Sequence, residues 1–283
     1  MPARIQPTAR QVRLGAELRK LRETAGMSSR EAAGLLGVAP AQMSQFESGN
    51  AGITAERVRR LAAHYSCTDS ELIDALAEMA VDRRRGWWEK YRGVLPPSFL
   101  DLAELEHHAT FIQEIATAHV PGVLQTEDYA RAVFAYWRPE LPESELEPRV
   151  EHRMRRGAVL TREQAVPYRV ILHESVLRTR VADRSVARNQ LDEIVLLAER
   201  PNVTVRVIPF DVDGFGGAST ALIYAGGPVP VLDTVHRDTP YGSAFVDAAA
   251  QLASMRTLFR KVESASLDPA RSRDYIHRLG KEL

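Results

Sequence analysis

Four residues at fixed intervals constrain this chain more than anything else in it. Counting from Ser29, a small residue stands fifth (Ala33), a glycine ninth (Gly37), and apolar residues fifteenth (Met43) and eighteenth (Phe46). Two short helices that cross closely need a small side chain at the crossing. The turn between them needs a left-handed backbone, which glycine adopts at the lowest cost. Met43 and Phe46, three residues apart, share one helix face and hold the pair on a core. The spacing therefore predicts a helix-turn-helix over residues 29–48, with Leu36 and Val38 flanking the turn. The outward residues of its second helix are then Ala41, Gln42, Ser44 and Gln45. Short and amide side chains there suit the major groove of a DNA duplex, where Gln bonds adenine in two places and Ser reaches base or phosphate. Ser28, Ser29, Arg30 and Asn50 flank that face as candidates for phosphate contact. Glu47 falls past it, and an intramolecular ion pair is its expected role.

The surrounding sequence frames the motif with one helix before it and two after. Leu14, Leu18, Leu21 and Ala25 form a helical stripe that Gly26 ends. Ser28 with Glu31 reads as a capping box, and Pro40 suits the first turn of the third helix, which Gly49 stops. Thr54 starts a fourth helix through Tyr65, and Thr68 or Asp69 a fifth carrying Leu72, Leu76 and Met79.

Charge supports a phosphate-binding head. The chain has 37 basic and 37 acidic residues and no net charge. Residues 1–66 nevertheless hold ten Arg and Lys against five acids, so positive charge is concentrated there and the remainder is acidic. A single cysteine, Cys67, excludes a disulfide scaffold. The first twelve residues lack a signal-peptide apolar segment, and no apolar run approaches the ~18 residues that span a bilayer. A cytoplasmic protein with no membrane partner is expected.

Beyond the head, residues 82–97 read as a connector, with Arg83, Arg84, Arg85, Trp87, Trp88 and the pair Pro96-Pro97. The arginine run either grips phosphate or is a solvated linker. Trp87, Trp88 and Tyr91 are expected to dock head to body, with a dimer seam or partner site as alternatives. Residues 98–283 read as a mixed α+β domain. The pattern predicts helix from Phe99 to about His119, a break at Val120-Pro121-Gly122, and a helix restarting at Thr126. A polar helix follows from about Glu143 to Thr161. Strands are predicted at Pro167–His173, Val203–Pro209, Thr220–Tyr224 and Val229–Val235. Helices are predicted over Asp183–Glu199, Ser243–Glu263 and Pro269–Leu279. The break at Val120–Thr126 lines a ligand pocket or packs in the core.

Catalytic patterns fail on inspection. His173-Glu174 would begin a zinc-protease motif, but Leu177 occupies the place of the second histidine. Glu104, Glu106, His107 and His108 share a helix, but adjacent histidines point about 100° apart and make poor co-ligands. Gly214-Phe215-Gly216-Gly217 lacks the Lys-Ser/Thr of a phosphate loop, and Ser175 has no nucleophile-elbow setting. No enzyme activity, metal or cofactor is expected.

Residues 12–79 resemble the Xre/Cro-type helix-turn-helix family, and Ser44-Gln45-Phe46-Glu47-Ser48-Gly49 resembles the stretch that closes its recognition helix. The resemblance implies a lambda-repressor-like head of five helices, recognition by the third, and a homodimer on a palindromic site in double-stranded DNA. The chain departs from that family at Ala39, often Ser or Thr, and at Ser29, often Gln. The rest resembles the C-terminal domain that follows such heads in many actinobacterial regulators. The matching stretches are Gly86-Trp87-Trp88, Val120 to Thr126 with Tyr129-Ala130, Arg149 with Arg153, His173-Glu174-Ser175 with Leu177-Arg178, and Pro201 to Phe210. Such proteins are described as regulator- or antitoxin-like and are often encoded beside a small partner protein. The expected function is a sequence-specific transcriptional regulator whose C-terminal domain serves dimerisation and partner or signal binding. The alternatives are an antitoxin-like module that binds a small protein encoded by an adjacent gene, and a small-ligand-sensing repressor.

Overall fold

The computed structural model describes residues 6–81, 86–217, 221–239 and 242–283. The chain divides into two compact units, Met1–Glu89 and Lys90–Leu283. Their boundary falls inside the stretch 82–97; Arg83, Arg84 and Arg85 lie outside the described residues.

Helices α1 (Ala9–Thr24), α2 (Ser29–Leu36), α3 (Pro40–Glu47), α4 (Ala55–His64) and α5 (Ser70–Val81) make up the first unit. Local signals set their limits. Thr8 and Gln11 form a capping box on α1, as Ser28 and Glu31 do on α2, and Thr54 accepts from the Arg57 N–H on α4. Asp69 rather than Thr68 caps α5, its Oδ1 accepting from the Leu72 N–H at 3.0 Å. Gly37 ends α2 at φ 66°, left-handed as the turn requires. One core collects Leu14 and Leu18, Ala33 and Leu36, Met43 and Phe46, Val58 and Leu61, and Leu72 and Leu76, all buried.

A six-stranded mixed sheet organises the second unit, in the order β3-β2-β1-β4-β5-β6. The strands are β1 (Phe111–Ala116), β2 (Tyr168–His173), β3 (Val203–Ile208), β4 (Leu222–Gly226), β5 (Thr234–Thr239) and β6 (Gly242–Val246). β1, β2 and β3 run parallel, and β4, β5 and β6 add antiparallel neighbours on the other side of β1. The remaining helices are α6 (Pro97–His108), α7 (Glu127–Trp137), α8 (Glu143–Arg156), α9 (Glu174–Arg178), α10 (Arg184–Leu197), α11 (Ala249–Ser264) and α12 (Pro269–Glu282). Both sheet faces are covered. One face packs Ile112, Val170, Val205 and Ile223 against Leu124, Leu160, Ile194 and Ile276. The other packs Ile115, Ile171 and Tyr224 against Leu252, Phe259 and Val262 of α11.

Four expectations need correction here. The predicted helix from Phe99 to His119 ends at His108, and Phe111–Ala116 is the central strand β1. A short apolar run does not distinguish a buried strand from a helix, and pairing on both edges decided it. The predicted strand Val229–Val235 is instead a 3-10 turn at Pro230–Leu232 followed by β5. The helix expected from Ser243 begins at Ala249, because Gly242–Val246 pairs with β5 as strand β6. The helix expected to run to Thr161 stops at Arg156 and passes into a 3-10 turn over Gly157–Leu160. Its polar character also misleads, because Arg149, His152 and Arg156 are buried.

Candidate nucleic-acid interface

Recognition geometry begins with how α3 is seated. Met43 and Phe46 are fully buried, while Ala41, Gln42, Ser44 and Gln45 are all exposed on the opposite face. Ala33 is buried at the α2–α3 crossing. On the other side, Gly15 of α1 lies against the end of α3. A Cβ on Gly15 would stand 2.6 Å from the carbonyl oxygens of Phe46 and Glu47, so α1 and α3 meet backbone to backbone. A Cβ on Gly49, at φ 74°, would likewise stand 2.8 Å from the Gln11 backbone. Both close approaches hold the exposed face of α3 at a fixed tilt.

A buried ion pair locks the C-terminal end of α3. Arg22 donates from Nε to Glu47 Oε1 at 2.6 Å and from Nη2 to Oε2 at 3.0 Å, and from Nη1 to the Met27 carbonyl at 2.7 Å. The paired side chains are 9 % and 8 % exposed. The hydrogen bond to Glu47 raises the Arg22 pKa against the opposing effect of burial. Tyr65, buried near the pair, is pushed up to about 12 by desolvation. Glu47 is thus withdrawn from the surface, as its place in the sequence suggested; its partner on α1 was not legible there.

The flanking candidates differ in what their side chains are doing. Ser28 spends its hydroxyl on the cap, donating to Glu31 Oε2 at 2.7 Å and accepting from the Glu31 N–H at 3.2 Å. Those bonds hold the Glu31 carboxyl below the usual carboxylate range. Ser29 is half-buried in the first turn of α2, and Arg30 beside it is exposed. Asn50 is exposed and donates to Ser48 Oγ at 2.8 Å. Ala39 precedes α3 with no side-chain cap, leaving that helix start to outside acceptors.

Most of the head's cations are already engaged. Arg19 pairs with Glu23, Lys20 with Glu17 and Arg59 with Asp74, and Arg60 donates to the Leu35 carbonyl. Arg30 and Arg57 have no carboxylate partner among the described residues, and Arg57 lies 5.9 Å over the Phe46 ring. Arg57 is a candidate that sequence reading passed over. Its signal, a basic residue in the first turn of the helix after α3, is weak until the fold brings α4 beside α3.

The family comparisons agree with this geometry. Residues 13–76 match the model of a helix-turn-helix domain, and residues 99–278 match that of a domain of unknown function, DUF5753. No curated protein and no solved structure matches the chain. Among the described residues no helix is long and apolar enough to cross a membrane. Nor does any group of three or more His, Cys, Asp or Glu there stand where it could hold a metal ion.

Proposed function

The chain belongs to the DUF5753 family and carries a DNA-binding helix-turn-helix ahead of that domain, and on this premise we propose that it is a sequence-specific transcriptional regulator of the Xre class. The observation that carries the reading is α3 itself. It turns Met43 and Phe46 inward and leaves Gln42, Ser44 and Gln45 as a polar face unobstructed by the head's own ion pairs. In the proposed complex these three meet base edges beside Ala41. Ser29, Arg30, Asn50 and Arg57, with the backbone around Ser28, meet phosphates.

The family resemblance supports a cytoplasmic homodimer of the actinobacterial type on a palindromic site, with the second unit supplying dimerisation and signal or partner binding rather than catalysis. Fluorescence anisotropy on the chain's own upstream region tests it. Gln42→Ala should weaken binding by roughly 1–3 kcal/mol, and discrimination at one base pair should relax with it. If the full chain binds that region no better than a random duplex of equal length, the reading fails.

A second reading is an antitoxin-like protein that also binds a small cognate protein encoded next to it. The adjacent Tyr136 and Trp137 at the end of α7 favour it, being 76 % and 68 % exposed and so unusual for a solvated surface. Co-purification with the neighbouring gene product, lost in Trp137→Ala, would support it; an unaccompanied full chain under co-expression counts against it.

A further inference from the structure

The outward face of α3 carries one kind of hydrogen-bonding chemistry and lacks two others. At about 100° per residue, Ala41 and Gln45 lie one above the other at the centre of that face, with Gln42 on one flank and Ser44 on the other. All four are exposed, and none is charged. The only ionisable side chain on α3 is Glu47, which is turned away into its fork with Arg22. No Arg or Lys stands anywhere between Arg30 on α2 and Arg57 on α4.

The two carboxamides are also unspent. Gln11, Gln125 and Gln190 all use theirs inside the fold, on the Thr8 N–H, the Val120 carbonyl and the Leu124 carbonyl. Among the described residues, the Gln42 and Gln45 side chains have no hydrogen bond within the protein. Ser48, at the end of the helix, differs again. Its hydroxyl donates to the Gln45 carbonyl at 3.2 Å and accepts from Asn50 Nδ2 at 2.8 Å.

Base edges in the major groove differ in what they ask of such a face. Adenine sets an acceptor at N7 beside a donor at N6, guanine two acceptors at N7 and O6, and cytosine a donor at N4. A carboxamide holds a donor and an acceptor in one plane, so it meets adenine in two bonds. Guanine is met in two bonds by Arg or Lys, and cytosine by a carboxylate. α3 offers the first of these twice and the others not at all. Ala41 adds a methyl of the kind that packs on the methyl of thymine. Residues 42 and 45 are about 4.5 Å apart along the helix axis, against about 3.4 Å between successive base pairs, so their side chains meet neighbouring pairs.

We propose that each DNA half-site of this chain has two neighbouring A·T base pairs at its core, read directly by Gln42 and Gln45 at adenine N6 and N7, with Ala41 against a thymine methyl and no guanine read by α3. This rests on the regulatory reading, which puts α3 in the major groove, and it names the DNA that the helix selects. Arg30 and Arg57 add affinity without preference among bases, because phosphates are common to every sequence.

Selection of the full chain on a library of random duplexes, followed by sequencing, tests it. The enriched sites should share adjacent A·T pairs in each half. In a duplex of that sequence, replacing either adenine by its 7-deaza analogue removes the N7 acceptor and keeps the base pair; each replacement should weaken binding about fivefold or more, the low end of what a bidentate contact is worth. Gln45 is exposed, so Gln45→Arg should fold, and it should move the preference at one of the two pairs to guanine. Enriched sites whose discriminating pairs are G·C overturn the proposal and leave the regulatory reading standing. So do adjacent A·T pairs whose binding is indifferent to the deaza analogue, since the stretch is then chosen for its shape. A selection that enriches nothing removes the regulatory reading, and the proposal with it.

Discussion

At the scale of single residues, the strongest constraints are charges taken out of water. Glu47 and Arg22 show why a recognition helix can end in an acid. The fork to Arg22 withdraws the carboxylate from the surface. Removing one member leaves the other buried and unpaired, which costs far more than the pair itself contributes. Glu47→Gln should therefore destabilise the first unit by about 3–5 kcal/mol, seen as a lower urea midpoint with unchanged slope. In the second unit Glu114 sets a pH dependence. Burial raises its pKa from 4.5 to about 7, so the folded state binds the proton more tightly than the unfolded state does. Its contribution to stability is complete below pH 4.5, declines as pH rises through about 7, and is absent above; the full difference is roughly 3 kcal/mol. Glu114→Gln keeps an acceptor for Tyr168 and cannot ionise. Its second unit should melt higher than wild type at pH 8 and lose that slope between pH 5 and 7. Parallel pH slopes in the two proteins would refute this.

At the scale of elements, local sequence was a good guide wherever a boundary is a local event. Caps at Ser28 and Thr54, the left-handed Gly37 and the proline opening α3 each act within one turn, and each stands where the sequence puts it. Packing between elements was not legible. Nothing around Gly15 distinguishes it from a tolerated helix glycine, yet a methyl there would meet two backbone carbonyl oxygens at 2.6 Å. Backbone cannot yield as a flexible side chain does. Gly15→Ala should cost about 1–3 kcal/mol or more and tilt α3, lowering operator affinity beyond the loss of stability. Unchanged melting and binding would show that α1 and α3 can separate freely. Strands β2, β3 and β4 lie where the sequence puts them, but β1 and β6 were not legible, for the same reason as Gly15. Phe111–Ala116 and Gly242–Val246 are strands because neighbours pair with them, and those neighbours lie up to some hundred residues away.

At the scale of the whole molecule, the chain is a basic helical head and an acidic α+β body, each with its own core. Residues 1–89 alone should fold cooperatively. If the second unit supplies the dimer contact, that fragment should bind the operator much more weakly than the full chain, because linking two heads converts the second binding event into an intramolecular one. Equal affinity of fragment and full chain would remove dimerisation from the role of the second unit.

The sequence by itself determined the head: five helices, the inward Ala33, Met43 and Phe46, and the outward Gln42, Ser44 and Gln45. All of these follow from helical periodicity and capping, interactions that span four residues or fewer. Only the tertiary structure decided which of the head's charges remain available, since Glu47 is neutralised from α1 and Arg57 is brought beside α3 by α4. The same holds for the body, where a helix that reads as polar turns Arg149 and Arg156 inward. Gly122 comes to lie so close to Arg153 and Arg156 of α8 that a Cβ there would stand 2.9 Å from Arg156 Nη1 and 3.1 Å from Arg153 Cδ. Periodicity states which face is polar; it carries no information on what that face will meet.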